Sequence, residues 1–155
     1  MANSEKTIEI LNDLIQINND RVAGYERAIN ELKDEDADLR TVFQSYATNS
    51  SRHVVELTEE VIKAGGQPSD GTTNSGKIYR AWMDVKATFT GSDRLTVLSN
   101  CEFGEDAAQK AYKEAIAEQH ELTDSARTLV SKQQAELKTA HDIIKEARDA
   151  EKILS

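Results

Sequence analysis

The sequence predicts an all-α fold, a four-helix bundle with a long crossover that carries a short extra helix. Three observations lead there. Apolar residues recur at helical spacing over long stretches; glycines and the single proline, Pro68, gather in one segment; and the 155-residue chain has 38% hydrophobic but only 5% aromatic residues, a mixture that suits helices better than sheets. A chain of this length is read as one domain, residues 1–155, able to bury a core without disulfides or a structural metal.

The first helix is expected over residues 5–33, where Ile8, Leu11, Ile15, Asn18, Val22, Tyr25, Ile29 and Leu32 form an unbroken heptad-like series. In LKDEDADLR, Asp36 or Asp38 can cap a second helix over 37–64, with the stripe Leu39, Phe43, Tyr46, His53, Leu57, Val61 and Ala64. Gly65-Gly66 ends it, since glycine accepts the left-handed backbone of a helix C-cap. Residues 65–76, GGQPSDGTTNSG, hold four of the seven glycines and read as a loop. A short helix is expected over 77–89, with Ile78, Trp82, Val85 and Phe89 on one face; Trp82 reads as a packing anchor or part of a homodimer contact.

Thr90-Gly91-Ser92-Asp93 then breaks the chain, and Ser92 can cap the third main helix, 93–120. Beyond Gly104 there is no glycine or proline, so only LTDS, residues 122–125, separates the last two helices. An unbroken helix over 93–153 would run about 90 Å at ~1.5 Å per residue, too long for a compact domain of this size. A turn near Thr123 is therefore expected. The fourth helix, 124–152, carries the stripe Ala126, Val130, Gln133, Leu137, Ala140, Ile144 and Ala147. The crossover, residues 65–92, is long enough to return the chain to the opposite end, which makes the second and third helices parallel.

Bulk charge narrows the function classes. With 28 acidic against 19 basic residues, a net charge of −9 and no Lys/Arg cluster, a nucleic-acid partner is not expected. The start, MANSEKTIEILNDL, lacks the basic flank and continuous apolar run of a signal peptide, and no segment approaches transmembrane length. No membrane association and a cytoplasmic location are expected. Cys101 is the only cysteine, which rules out an intrachain disulfide and a Cys-based zinc site, and its acidic neighbour Glu102 disfavours a reactive thiolate. The string GTTNSGK, Gly71 to Lys77, has P-loop spacing, but Ile78 stands where the Mg²⁺-binding Ser or Thr belongs and no strand precedes it.

The informative residues are polar and point inward. Glu102 and Glu105 fall inside the apolar stripe Leu95, Leu98, Glu102, Glu105, Gln109, Tyr112, Ile116, so a helix aims both carboxylates at the core. Ionised carboxylates are costly to remove from water, and two together need a metal, a shared proton or basic partners. Glu26, His53, Glu56 and His141 complete a candidate ligand set, since hard cations such as Fe or Mn take carboxylate oxygens with imidazole nitrogens. Glu102 and His141 each lie about twenty residues from the turn near Thr123, which places them level on neighbouring helices.

Four strings, LNDLIQINNDRVAGYERAI, AGGQP, YRAWMDVKATFTG and NCEFGEDAAQKAYKEAI, resemble a bacterial family of ferritin-like four-helix-bundle proteins of unassigned function, across nearly the whole chain. The resemblance implies a ferritin-like fold, iron or manganese in the bundle core for redox or storage chemistry, and a homo-oligomer. Dimetal sites of that fold take a Glu from each of two helices and a Glu-x-x-His from each of the others. Glu26 and either Glu102 or Glu105 suit the lone-Glu places; this chain has no Glu-x-x-His, only the reversed His53-x-x-Glu56, and Lys138 precedes His141 where Glu is required. Two functions follow as expectations: a core metal ligated by these residues, or a metal-free structural or stress-associated bundle working through oligomerisation or protein contacts, whose inward polar groups fix helix register.

Overall fold

The computed structural model describes residues 4–70 and 93–154. Four long helices make up the bundle: α1 (Ser4–Glu31), α2 (Ala37–Lys63), α3 (Arg94–Ala117) and α4 (Asp124–Leu154). Single 3₁₀ turns, Asp34–Asp36 and Gln119–Glu121, precede α2 and α4. This is the expected all-α four-helix bundle. Helix α1 packs on α2 and α3 on α4, while α1 also meets α3 and α2 meets α4, so α1 stands diagonal to α4.

Two contacts fix the direction of the chain. Arg94, first residue of α3, pairs with Asp36 at 3.1 Å and Asp38 at 2.7 Å, both at the start of α2. Helices α2 and α3 are therefore parallel. At the opposite end the Thr7 hydroxyl donates to the Glu121 carbonyl, tying the start of α1 to the α3–α4 turn.

Local chemistry accounts for the ends. Gly65 takes φ +87° directly after the C-cap Ala64, a conformation that costs a residue with a Cβ about 1–2 kcal/mol. A Cβ on Gly66 would lie 2.7 Å from Ile8, so the chain needs glycine to press against α1 there. Asn12 then clamps the departing segment, donating to the Gln67 carbonyl at 3.0 Å and accepting from the Ser69 amide at 2.8 Å. At α3 the cap is Asp93, whose carboxylate accepts from the Thr96 amide at 2.7 Å; the expected capping residue Ser92 lies outside the described residues. The short helix expected over 77–89 and the string Gly71 to Lys77 lie outside them as well.

Leu11, Leu14 and Ile15 of α1 meet Phe43, Leu57 and Val61 of α2, Leu98 and Tyr112 of α3, and Val130, Leu137 and Ile144 of α4 in one core. On α1 the buried face is wider than the expected heptad: Leu14, Arg21 and Ala28 are buried, whereas Val22 and Ile29 are only partly so. A helix gripped by two neighbours buries a broad stripe rather than a single seam. Among the described residues, no helix is long and apolar enough to cross a membrane.

Candidate functional site: a polar core centred on Arg21

A guanidinium sits inside the bundle. Arg21, on the middle turn of α1, forks onto Glu105 of α3 with Nε 2.6 Å from Oε1 and Nη2 3.0 Å from Oε2, and both side chains are 1% exposed. Its Nη1 donates to the Tyr46 carbonyl at 3.0 Å and the Ser50 hydroxyl at 2.7 Å. The Tyr25 and Tyr46 rings lie 5.1 and 5.5 Å from the guanidinium carbon, close enough for cation–π attraction. Burial opposes the Arg21 charge, yet the Glu105 carboxylate outweighs it and raises the pKa above its ordinary value. Burial, and then the same carboxylate, push the Tyr25 and Tyr46 hydroxyls up, so both rings stay neutral beside the pair.

Asn18 is the second hub, one turn before Arg21. Its Nδ2 donates to the Leu14 carbonyl and to the Tyr112 hydroxyl, each at 2.8 Å. Its Oδ1 accepts from the Ser50 hydroxyl at 2.9 Å and lies 3.2 Å from His53 Nδ1. The Tyr112 hydroxyl donates to Gln133 Oε1 at 2.7 Å, and Gln133 Nε2 donates to Glu56 at 3.2 Å. His53 Nε2 stands 2.8 Å from Glu136, a carboxylate that Arg52 also holds at 2.5 Å. Burial pushes the His53 imidazole below its ordinary pKa against the pull of Glu136. Burial works to raise Glu136, but His53 and Arg52 hold it below the usual carboxylate range. One connected polar network thus joins all four helices.

The six residues expected as metal ligands are placed apart. Glu105 is committed to Arg21 through both oxygens. Glu102 turns to the α3–α4 seam and pairs with Arg148, beside a cleft walled by Leu95, Ser99, Phe103 and Lys152. His141 takes Asp106 on Nε2 at 2.5 Å and Asp142 on Nδ1 at 3.1 Å. His53 and Glu56 belong to the network just described, and Glu26 is exposed. The expected pairing of Glu102 with His141 is not made. Side chains lean toward the N-terminus of their helix, so on antiparallel α3 and α4 these two lean apart, Glu102 to Arg148 and His141 to Asp106.

Among the described residues, no group of three or more His, Cys, Asp or Glu is placed to hold a metal ion. The donor set does not fit a carboxylate-bridged dimetal centre: its one central carboxylate already carries a cation, and the nearby imidazole faces a polar partner on each ring nitrogen. Sequence reasoning missed Arg21, Ser50, Tyr112 and Glu136 as members of the site. For Arg21 a signal existed, because Leu14, Arg21 and Ala28 repeat every seven residues beside the apolar series.

Residues 6–118 match a family described as a domain of unknown function, DUF2383. No curated protein matches the chain. In fold it is similar to a mutant of Dps1 from Mycobacterium smegmatis, with a TM-score of 0.80, 13% identity and coverage of 94% of this chain and 96% of that one. A ferritin-like, diiron-carboxylate protein from Bacillus anthracis str. Ames gives a TM-score of 0.68 at 17% identity, covering 97% of this chain and 99% of that one. At such identities the likeness speaks for fold alone. The chain belongs to the DUF2383 family and has the ferritin-like four-helix fold.

Proposed function

We propose that this protein is a ferritin-like bundle that works without a core metal, as a structural or stress-associated module acting through self-association or protein contacts. The observation that carries the reading is the Arg21–Glu105 pair, an internal cation that neutralises the central carboxylate in the buried middle of the fold. A divalent ion there would have to displace a bidentate, charge-assisted interaction and then share its space with a guanidinium. Interaction as the mode of action is supported by large apolar side chains turned outward: Val55 and Ile62 on α2, Phe103 on α3, Ile153 and Leu154 at the end of α4.

The competing reading, Fe or Mn at Glu26, His53, Glu56, Glu102, Glu105 and His141, draws on the diiron-carboxylate description of the Bacillus anthracis neighbour. Loading the untagged protein with Fe(II) and with Mn(II) separates the two. The expected result is no stoichiometric metal after desalting and an unchanged melting temperature, since a ligand that binds the native state must raise it. One or two tightly held ions per chain, lost on Glu105→Gln, would overturn the proposal. Sedimentation velocity of the same sample reads the oligomeric state, expected to be a dimer or larger.

A further inference from the structure

Two outward stripes with the same spacing carry opposite chemistry. On α4, Lys138, Asp142, Lys145, Asp149 and Lys152 alternate four and three residues apart, all exposed and all charged, as a solvated helix face should be. On α2 the same alternation runs through Gln44, Thr48, Ser51, Val55, Thr58 and Ile62, and none of the six is charged in a chain where 30% of residues are. Five of them are exposed and Thr58 is half-buried, while the two aliphatic members, Val55 and Ile62, stand 59% and 60% exposed. Ala47 and Val54, both partly buried, widen the strip without adding charge. Spacing of four and three is the seam along which one helix packs lengthwise on another. Helix α2 already buries a separate stripe in the bundle core, with Leu39, Phe43, Leu57 and Val61, so the outer seam is a second one that no described helix covers.

We infer that this strip is the contact between two copies of the chain, with α2 laid antiparallel on α2 of the partner across a two-fold axis. The inference rests on the self-association reading above and names its surface and its partner. Charge selects the partner. Each copy carries a net −9, so two copies can meet closely only along a face that adds no like-charge contacts, whereas a basic partner would need acidic residues that the strip does not offer. The spacing selects the register. One antiparallel alignment covers all six positions: Val55 meets the partner's Ser51, Thr48 the partner's Thr58, and Gln44 the partner's Ile62. Hydroxyl groups both donate and accept, so Thr48 and the partner's Thr58 satisfy each other. Such a contact is isologous and closes at two copies. From 44 to 62 the seam is about 27 Å long at ~1.5 Å per residue. That is the small end of specific interfaces, so the dimer is reversible, with Kd on the order of 10⁻⁵ M.

The test is sedimentation equilibrium of the full chain as wild type, Val55→Asp, Ile62→Asp, Ser51→Lys and, on another face, Ile143→Asp. Wild type should dimerise, and more tightly at about 0.5 M salt than at about 0.05 M, because salt screens the repulsion between two acidic copies and leaves an uncharged contact intact. Val55→Asp should raise the dimer Kd at least about 30-fold, and Ile62→Asp, nearer the rim, about tenfold. Both side chains are exposed in the single chain, so far-ultraviolet circular dichroism should not change. Ile143→Asp, on α4, should leave Kd as it is. An equimolar mixture of Val55→Asp and Ser51→Lys should dimerise at least about tenfold more tightly than either alone, since the antiparallel register sets the two new charges face to face. A dimer indifferent to both aspartate variants, one that loosens as salt rises, or a mixture that gains nothing overturns the inference and leaves self-association itself standing. A wild type that stays monomeric at every concentration overturns both, while the metal loading described above decides the metal-free reading separately.

Discussion

Two arginine–glutamate pairs hold α3 to its neighbours, and their glutamates stand three residues apart. Glu105 meets Arg21 with both side chains 1% exposed, whereas Glu102 meets Arg148 with exposures of 10% and 28%. Three residues turn a helix by about 300°, so the two carboxylates diverge by about 60°. That angle moves one from the centre of the bundle to the edge of a seam. In the centre, water cannot reorganise around the charges, so each partner depends on the other. At the seam, solvent supplies much of what a lost partner would. The same chemistry is structural in one place and nearly neutral in the other.

The largest effect should come from breaking the central pair. Glu105→Ala leaves the Arg21 guanidinium buried with only the Tyr46 carbonyl and Ser50 hydroxyl, and should cost about 3–5 kcal/mol in urea unfolding. Adding Arg21→Met should recover part of that loss, because an apolar pair demands no charge compensation. A single-variant cost below about 1 kcal/mol would mean that water reaches the pair. Next in size is Tyr112→Phe. Its hydroxyl accepts from Asn18 at 2.8 Å and donates to Gln133 at 2.7 Å, both buried, so removal orphans two groups and should cost about 1–3 kcal/mol.

The contrast between the pairs also explains what could be read from sequence. The fold class was legible because stripes such as Leu39, Phe43, Tyr46, Leu57, Val61 repeat over many turns, and periodicity survives a few polar intrusions. Glu102 and Glu105 were recognisable as inward carboxylates for the same reason. Which of them reaches the centre depends on helix rotation, which a stripe does not fix to within 60°. Arg21 escaped notice because a long charged side chain beside an apolar stripe ordinarily snorkels to water. Only the second neighbour of α1, packing over that flank, keeps it inside. The Glu102–His141 expectation failed on side-chain lean, which counting residues from a turn leaves out.

At the seam, Arg148→Ala removes the partner of Glu102 and should cost about 0.5–1 kcal/mol, falling further as salt is raised. Equal losses for Arg148→Ala and Glu105→Ala would erase the distinction between centre and edge.

The smallest effect should be the most pH-dependent. His141 bridges the same seam, with Asp106 of α3 on one ring nitrogen and Asp142 on the other. Burial pulls its pKa down, but the Asp142 and Asp106 carboxylates outweigh it and hold the imidazole above its ordinary value. A group whose folded pKa is raised binds its proton more tightly in the native state. Its stabilisation is therefore complete below the unfolded value of about 6.5 and fades as pH climbs through the folded value. His141→Gln should thus cost a few tenths of a kcal/mol, roughly 0.2–0.5, at pH 5.5 and nothing measurable at pH 9, where the wild-type imidazole is neutral as well. Paired urea curves at the two pH values check it. A cost that grows with pH would place the imidazolium outside the reach of Asp106 and Asp142 in solution, and would leave Arg148 as the charge that closes the seam.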